Sequence, residues 1–230
     1  MSKHTITTEL KWDIHNAFND IIDLKLITKD EKSTIPETHT KKLVKIERWL
    51  TKLNYILNKI DAIEKELLPT IEAEFQYHFE SLDLVKLSFF RPKIKNLFIE
   101  LQLHLTQTQI GTIGIDFETL VNLGEAAEVI ALIGDSALDL AAAQYFWEPK
   151  LSDAGNITKK RSQMVSNENL AKACDHLNLY AYAIPSMAAN QFSKEETIEH
   201  VKSTLVEALY GIIYIEKGID AVFKALIVIK

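Results

Sequence analysis

Several residue types and patterns are scarce in this sequence of 230 residues, and each absence excludes a class of protein. Cys174 is the single cysteine, so the chain forms no internal disulfide and offers no cysteine-based zinc site. The proportions of apolar and charged residues, 47% and 25%, are ordinary and exclude a disordered or collagen-like chain. Basic residues are outnumbered, with 26 Lys and Arg against 32 Asp and Glu, which argues against a globally basic nucleic-acid-coating protein but leaves local basic patches open.

Apolar runs long enough for a membrane segment are also lacking. The N-terminus is polar, so we expect no signal peptide. The most apolar stretch, residues 126–147, is interrupted by Glu128, Asp135 and Asp139, which would be costly in lipid. We therefore expect no membrane partner and a cytoplasmic location.

Helical periodicity runs through most of the chain, which predicts an all-α fold. The sequence changes character after residue 85, where the helices become more apolar. We therefore predict an N-terminal helical extension over residues 1–85 and a second domain over residues 86–230. A polar segment at residues 33–40 predicts a linker between the first two helices. Breaks are expected at four prolines: Pro69, Pro92, Pro149 and Pro185.

The second predicted helix, roughly residues 40–68, combines an apolar seam with a basic stripe. The seam has heptad-like spacing and consists of Leu43, Ile46, Leu50, Leu53, Leu57, Ile60 and Leu67. It predicts either packing within the chain or an intermolecular coiled coil. The stripe lies on another face and consists of Lys41, Lys45, Arg48, Lys52 and Lys59. It is either a solvated face or a strip that contacts RNA.

Acidic residues occur inside two otherwise apolar helices. Glu128 and Asp135 are seven residues apart and so differ by only about 20° around a helix. Gly134 costs about 1 kcal/mol in a helix interior relative to alanine, which indicates close approach of another backbone. On a second helix, roughly residues 194–215, His200 and Glu207 share a face. Carboxylates on two such helices predict either separate caps and hydrogen bonds or one convergent site for a hard cation.

Four segments resemble the ribonuclease III family, in the order and at the spacing of that family. LIGDSALDLAAAQYF at residues 132–146 is similar to the signature N-E-R-L-E-F-L-G-D-S-V-L. LTQTQ at residues 105–109 is similar to L-T-H-x-S, and DAGNITKKRSQMVSNENLA at residues 153–171 is similar to the segment that begins D-E-G. VEALYGIIYIEKGIDAV at residues 206–222 is similar to V-E-A-L-I-G-A-I-Y-L-D-G-G. The resemblance covers the chain from about Phe89 onward.

This resemblance implies a dimeric, Mg²⁺-dependent endonuclease fold for double-stranded RNA, and it also identifies departures from the family pattern. Glu128, Asp135 and Glu207 match acidic positions of the family. Other positions do not match: Ala131, Ala154 and Thr204 replace acidic residues, and Gln107 replaces the upstream histidine. Of the four metal ligands that the family implies, only Asp135 and Glu207 remain. We therefore expect Mg²⁺ to be held weakly or not at all, because fewer carboxylates grip the cation.

The favoured interpretation is a protein of this fold that binds structured RNA or a ribonucleoprotein with little or no cleavage. Its RNA-facing candidates are Lys159, Lys160 and Arg161, together with the basic stripe. No DNA partner is expected, and we expect no double-stranded-RNA-binding domain after residue 230.

Two other functional interpretations remain open. One is an active nuclease that rebuilds its metal site with Asp139 or His200. The other is a protein-interaction scaffold that uses the heptad seam to recruit a partner.

Dimerisation is a separate expectation. Small residues would allow two signature helices to pack across a two-fold axis: Ala126, Ala127, Ala131, Ala137 and Ala141 to Ala143. The alternative is that this face packs on the N-terminal extension and the protein is monomeric.

Overall fold

The computed structural model describes residues 14–108, 114–147, 153–184 and 195–230, and these ranges are almost entirely helical. The α-helices in chain order are α1 (Ile14–Thr34), α2 (Thr40–Ala62), α3 (Leu68–Phe75), α4 (Leu82–Ser88), α5 (Lys95–Thr108), α6 (Phe117–Phe146), α7 (Ala154–Met164), α8 (Asn167–His176), α9 (Glu195–Lys217) and α10 (Ile219–Ala225). Over these ranges, extended pairing is limited to one isolated bridge between Phe90 and Ile184. The all-α prediction is confirmed.

Several helices begin at a short polar residue whose side chain accepts a backbone N–H of the first turn, as an N-cap does. Asp116 starts α6 by accepting from the N–H of Thr119 at 3.1 Å. Asp153 starts α7 in the same way, accepting from Asn156 at 3.0 Å. Because Asp116 provides this cap, α6 begins at Phe117, ahead of the apolar stretch that first indicated a helix.

The predicted break at Pro69 is wrong. A π-helical turn over Ile63–Leu67 joins α2 to α3, and Pro69 lies in the first turn of α3. Proline has no N–H and its ring clashes with a carbonyl one turn earlier, so a regular helix cannot pass through it. The wider π turn immediately before Pro69 replaces the regular hydrogen-bonding pattern there, so the helical path continues.

Of the other predicted breaks, some are confirmed and two lie outside the described residues. Pro92 opens a short 3₁₀ turn, Pro92–Ile94, between α4 and α5, so that break is confirmed. The linker at residues 33–40 is confirmed between the end of α1 and the start of α2. Pro149 and Pro185 lie outside the described residues.

The seam of α2 is buried within the chain. Ile46, Leu53 and Ile60 belong to one hydrophobic core that also contains residues of α1, α5, α6 and α9. The intermolecular coiled-coil interpretation is therefore wrong, because the surface it requires is already covered by the same chain. The division after residue 85 stays a prediction; α4 spans that point, and the core is continuous across it.

Helix α6 lies at the centre of the second half of the chain. It packs most extensively against α9 and also contacts α4, α5, α7 and α10, while α8 packs on the outer side of α9. No helix among the described residues is both long enough and apolar enough to span a bilayer.

Candidate functional site

Two glycines bring α6 and α9 into backbone contact. A Cβ atom at Gly134 would lie 2.7 Å from the carbonyl carbon of Glu207 and the same distance from the nitrogen of Gly211. A Cβ atom at Gly211 would in turn collide with the backbone of Ile130. Only residues without side chains fit this crossing, which confirms the close approach predicted from Gly134. The crossing also places Asp135, which follows Gly134 in the sequence, next to Glu207, whose backbone lies against Gly134.

Because of this crossing, Glu207 is buried with other carboxylates close to it. Burial, together with the nearby carboxylates of Asp135 and Glu128, raises the pKa of Glu207 to about 7, while the positive charge of Arg91 opposes the shift. The three acidic residues taken from the sequence as site candidates are therefore close enough for the charges of Asp135 and Glu128 to act on Glu207, and we call this cluster the acidic pocket. At neutral pH Glu207 is divided between its ionised and neutral forms.

Asp135 lies nearer the solvent than Glu207. Partial desolvation raises the pKa of Asp135 above its ordinary value, and the charge of Asp139 adds to this, with Arg161 opposing both. Asp139 itself accepts a hydrogen bond from Nη1 of Arg161 at 3.1 Å. Asp139 is thus engaged by an arginine, and it is not aligned with Asp135 around a cation.

Arg91 is the site residue that sequence reasoning missed. Its Nη2 forms an ion pair with Oε1 of Glu128, and its side chain is only 8% exposed. Its second terminal nitrogen, Nη1, is buried without a hydrogen-bond partner. Burial lowers the pKa of the guanidinium, and the charges of Glu128 and Glu207 counter that effect. The acidic pocket therefore contains a positive charge supplied by the chain itself.

Residues at three family positions are unsuited to bind a cation. Ala131 is buried in the core and has no polar atom in its side chain. Thr204 is buried, and its hydroxyl donates to the carbonyl oxygen of His200 at 2.8 Å. Ala154 is the first residue of α7, exposed and without a polar side chain. Gln107 lies in a part of the chain whose side chains are not described.

The remaining residues do not fit a resident Mg²⁺ ion. Among the described residues no group of three or more His, Cys, Asp or Glu side chains is arranged to hold a metal. One oxygen of Glu128 is taken by Arg91, and His200 is an exposed side chain at the start of α9. The alternative of a metal site rebuilt with Asp139 or His200 stays a prediction; in the described part of the chain Asp139 pairs with Arg161, and His200 is exposed.

Some of the basic residues expected to face RNA are exposed, and others are already paired with residues of the chain. Lys159 and Lys160 are exposed on α7, with the ammonium of Lys160 5.7 Å from the ring centre of Phe146. Arg161 is engaged by Asp139. On the stripe of α2, Arg48 pairs with Glu100 at 2.8 Å, while Lys41 is exposed.

Lys45 and Lys52, two of the three other lysines of the stripe, lie near a residue of α5 or an aromatic ring. Lys45 lies 4.8 Å above the ring of Trp49, and Lys52 contributes with Lys45 to lowering the pKa of Glu100. Part of the stripe's charge is therefore neutralised inside the chain by Glu100.

A second basic surface was missed in the sequence. Lys25, Lys29 and Lys32 follow one another at steps of four and three residues along α1 and line a groove beside α2. Lys32 pairs across the groove with Glu47, while Lys29 is exposed. The signal in the sequence is the spacing of these lysines, which places them on one face of a helix.

The expectation that the alanines of α6 form a dimer contact is wrong. Ala127, Ala141 and Ala142 are fully buried, and Ala126, Ala131 and Ala137 nearly so, all inside one chain. Small residues are needed there because α6 is surrounded by other helices of the same chain. The apolar side chains that α6 exposes are instead Val129, Leu132 and Leu140, which are 55%, 65% and 52% exposed.

Comparison with known proteins agrees with this geometry. A sequence model described as "Ribonuclease III domain" matches residues 128–218, which contain the glycine crossing and all three candidate carboxylates. The chain is 33% identical over 101 residues to "Ribonuclease 3" of Campylobacter fetus subsp. fetus, covering 44% of this chain and 45% of that protein. It is 32% identical over 97 residues to "Ribonuclease 3" of a Nitratiruptor species, covering 41% and 42% of the two chains.

These comparisons agree on one region. Residues 128–218, inside the second half of the chain, are similar to the ribonuclease III domain, and both curated relatives are ribonucleases of that name. The match spans less than half the length of each of these curated relatives. No solved structure matches the chain at a significant level.

Proposed function

We propose that this chain is a ribonuclease III-fold protein that binds structured or double-stranded RNA, free or within a ribonucleoprotein, without efficient metal-dependent cleavage. The observation that carries the proposal is the ion pair between Arg91 and Glu128 inside the acidic pocket. An arginine occupies a carboxylate that the family resemblance assigns to the catalytic site. The fold and its RNA-facing surfaces are retained, whereas the cation-binding chemistry is not.

Hydrolysis of a phosphodiester by this fold requires a positioned water and a polarised phosphoryl oxygen at the same time. Mg²⁺ supplies both, and it is usually held by carboxylate oxygens and water in octahedral geometry. Here Asp135 and Glu207 are the remaining candidate ligands, and Glu207 is partly neutral near pH 7. A protonated carboxyl binds a cation poorly, so the pocket supports little of this chemistry. The juxtaposition of Asp135 and Glu207 is the one feature that favours the competing function, an active nuclease.

We propose that RNA phosphates contact two basic surfaces. One is the exposed pair Lys159 and Lys160 on α7, and the other is the lysine row of α1, in which Lys25 and Lys29 carry the contacts because Lys32 already pairs with Glu47. Lysines at one-turn spacing place several ammonium groups along a line, as an RNA backbone requires. Lys41 adds to this charge on α2, whereas Lys45, Arg48, Lys52 and Arg161 contribute less because carboxylates or an aromatic ring already engage them or lie beside them.

We further propose a homodimer formed through the exposed apolar side chains of α6, Val129, Leu132 and Leu140. Replacing Leu132 by glutamate would place a charge in the centre of that contact. Sedimentation equilibrium should give twice the 26.2 kDa chain mass for the wild type and the single mass for Leu132→Glu. A wild type that sediments as a monomer at micromolar concentration would remove the dimer. The compartment we propose is the cytoplasm.

The RNA proposal is tested by binding to a perfect RNA duplex at several salt concentrations. Wild type should bind at low salt and weaken steeply as salt rises, since each phosphate contact adds about −0.9 to the slope of log K against log salt. Lys159→Glu/Lys160→Glu should reduce that slope by about 2 in magnitude. The matched control is Lys65→Glu/Lys224→Glu, which reverses two exposed lysines outside both surfaces and should keep the slope apart from a small long-range effect. No binding even at low salt would contradict the RNA proposal.

A further inference from the structure

We propose that the guanidinium group of Arg91 is the resident cation of the acidic pocket. It takes the place of the divalent ion that such a cluster of carboxylates otherwise needs. The inference rests on the absence of metal chemistry proposed above, and it is independent of whether the chain binds RNA. It assigns Arg91 a positioning and charge-balancing role, and it makes the fold of this site independent of Mg²⁺.

The backbone of Arg91 is fixed from two sides. Its N–H donates to the carbonyl oxygen of Ile184 at 3.3 Å, next to the bridge between Phe90 and Ile184. On the other side, a Cβ atom at Gly124 would lie 2.6 Å from the carbonyl carbon and oxygen of Arg91. Gly124 lies on α6 one turn before Glu128, so the same helix holds the backbone of Arg91 and receives its guanidinium. The backbone of Arg91 therefore cannot withdraw without separating these elements.

The charges in the pocket fit this role. Two carboxylates, Glu128 and Glu207, both act on Arg91, and Glu128 does so through a direct ion pair. The guanidinium stays protonated even when buried, so its charge does not depend on a bound ligand. The buried Nη1, which has no hydrogen-bond partner, marks the side of the group where one more acceptor could be placed. A fixed positive charge at this position also repels a second cation.

The test is a metal titration of the folded protein, with and without Arg91. Thermal unfolding in EDTA and in Mg²⁺ reports stability, and the electron paramagnetic resonance signal of free Mn²⁺ reports binding directly. For the wild type we expect the same melting temperature in EDTA and in millimolar Mg²⁺ and no Mn²⁺ bound at micromolar concentration. Arg91→Met, which removes the charge and keeps the length, should melt lower in EDTA. It should also regain stability with Mg²⁺ and bind Mn²⁺ at least about tenfold more tightly, as loss of about 1.4 kcal/mol of repulsion implies.

Two further variants separate charge balance from ordinary packing. Arg91→Met/Glu128→Gln removes both members of the ion pair and should be more stable in EDTA than Arg91→Met, since breaking a buried pair costs more than replacing it. Arg161→Met removes an arginine that is partly exposed and should give no gain in Mn²⁺ affinity comparable to that of Arg91→Met. The proposal is overturned by a wild type that binds Mn²⁺ or melts higher in Mg²⁺. It also fails if Arg161→Met gains metal affinity as Arg91→Met does. If Arg91→Met does not fold, the wild-type titration alone decides.

Discussion

The carboxyl group of Glu207 should make the stability of this protein fall as pH rises through neutrality. Its pKa is about 7 in the folded chain against an ordinary value of 4.5, chiefly because it is buried. A carboxyl whose pKa is raised by folding favours the folded state below pH 4.5 and loses that contribution as pH rises to 7. The difference corresponds to at most about 3 kcal/mol, at 1.36 kcal/mol for each pH unit. The Glu207→Gln variant removes the charge at every pH and should remove this dependence.

The assay is urea unfolding of wild type and Glu207→Gln at pH 5 and at pH 8. We expect similar free energies of unfolding at pH 5 and a variant that is about 2–3 kcal/mol more stable at pH 8. Glu199→Gln, an exposed residue on the same helix, is the matched control and should change neither value by more than about 0.5 kcal/mol. A variant less stable than wild type at pH 8 would refute the reasoning, because it would mean that attraction to Arg91 outweighs burial of the charge.

Two further predictions concern packing. Gly134→Ala should destabilise the protein by about 3 kcal/mol or more in urea unfolding, because its Cβ atom would meet the backbone of Glu207 and Gly211. Gly155→Ala is the control, and it should stay within about 1 kcal/mol of wild type because the nearest contact of its Cβ atom is a side-chain oxygen at 3.3 Å. Equal effects of the two substitutions would contradict the crossing of α6 and α9. Burial raises the pKa of the Cys174 thiol to about 12. The thiol should therefore not react with a disulfide reagent at pH 8 until the protein unfolds. Rapid labelling of the native protein would show that α8 is not packed as described.

Much of the fold could be predicted because the relevant signals are local. Helical periodicity predicted an all-α chain, and Gly134 inside an apolar helix predicted the close approach of another backbone, which is that of α9. The neighbouring positions of Asp135 and Glu207 follow from that contact. Local patterns also gave the linker before α2, since polar residues around Pro36 interrupt the periodicity.

The orientation of α6 could not be predicted from its sequence. The helix is apolar nearly all round, so its pattern does not indicate which face is covered. The alanines suggest an intermolecular contact, but they lie inside the chain, where α9 and other helices approach closely. The larger side chains Val129, Leu132 and Leu140 lie on the exposed face of the helix.

Arg91 could not be predicted for a different reason. It lies 37 residues before Glu128 in a short irregular segment that ends just before the 3₁₀ turn at Pro92, and no periodic pattern connects the two. Only the packing of Gly124 on the backbone of Arg91 brings the guanidinium to the carboxylate. Likewise, the partial neutralisation of the α2 stripe depends on Glu100, a residue of another helix. Ion pairs between distant segments require the tertiary structure.

The most direct test of this account is incubation of the purified chain with a labelled RNA duplex in 10 mM Mg²⁺ or Mn²⁺, with the products separated on a denaturing gel. The account predicts that the duplex is retained by the protein in a parallel binding assay while its strands stay intact over hours. Strand cleavage that EDTA stops and Asp135→Ala abolishes would contradict it, and would show that two carboxylates beside Arg91 are enough to hold a catalytic metal.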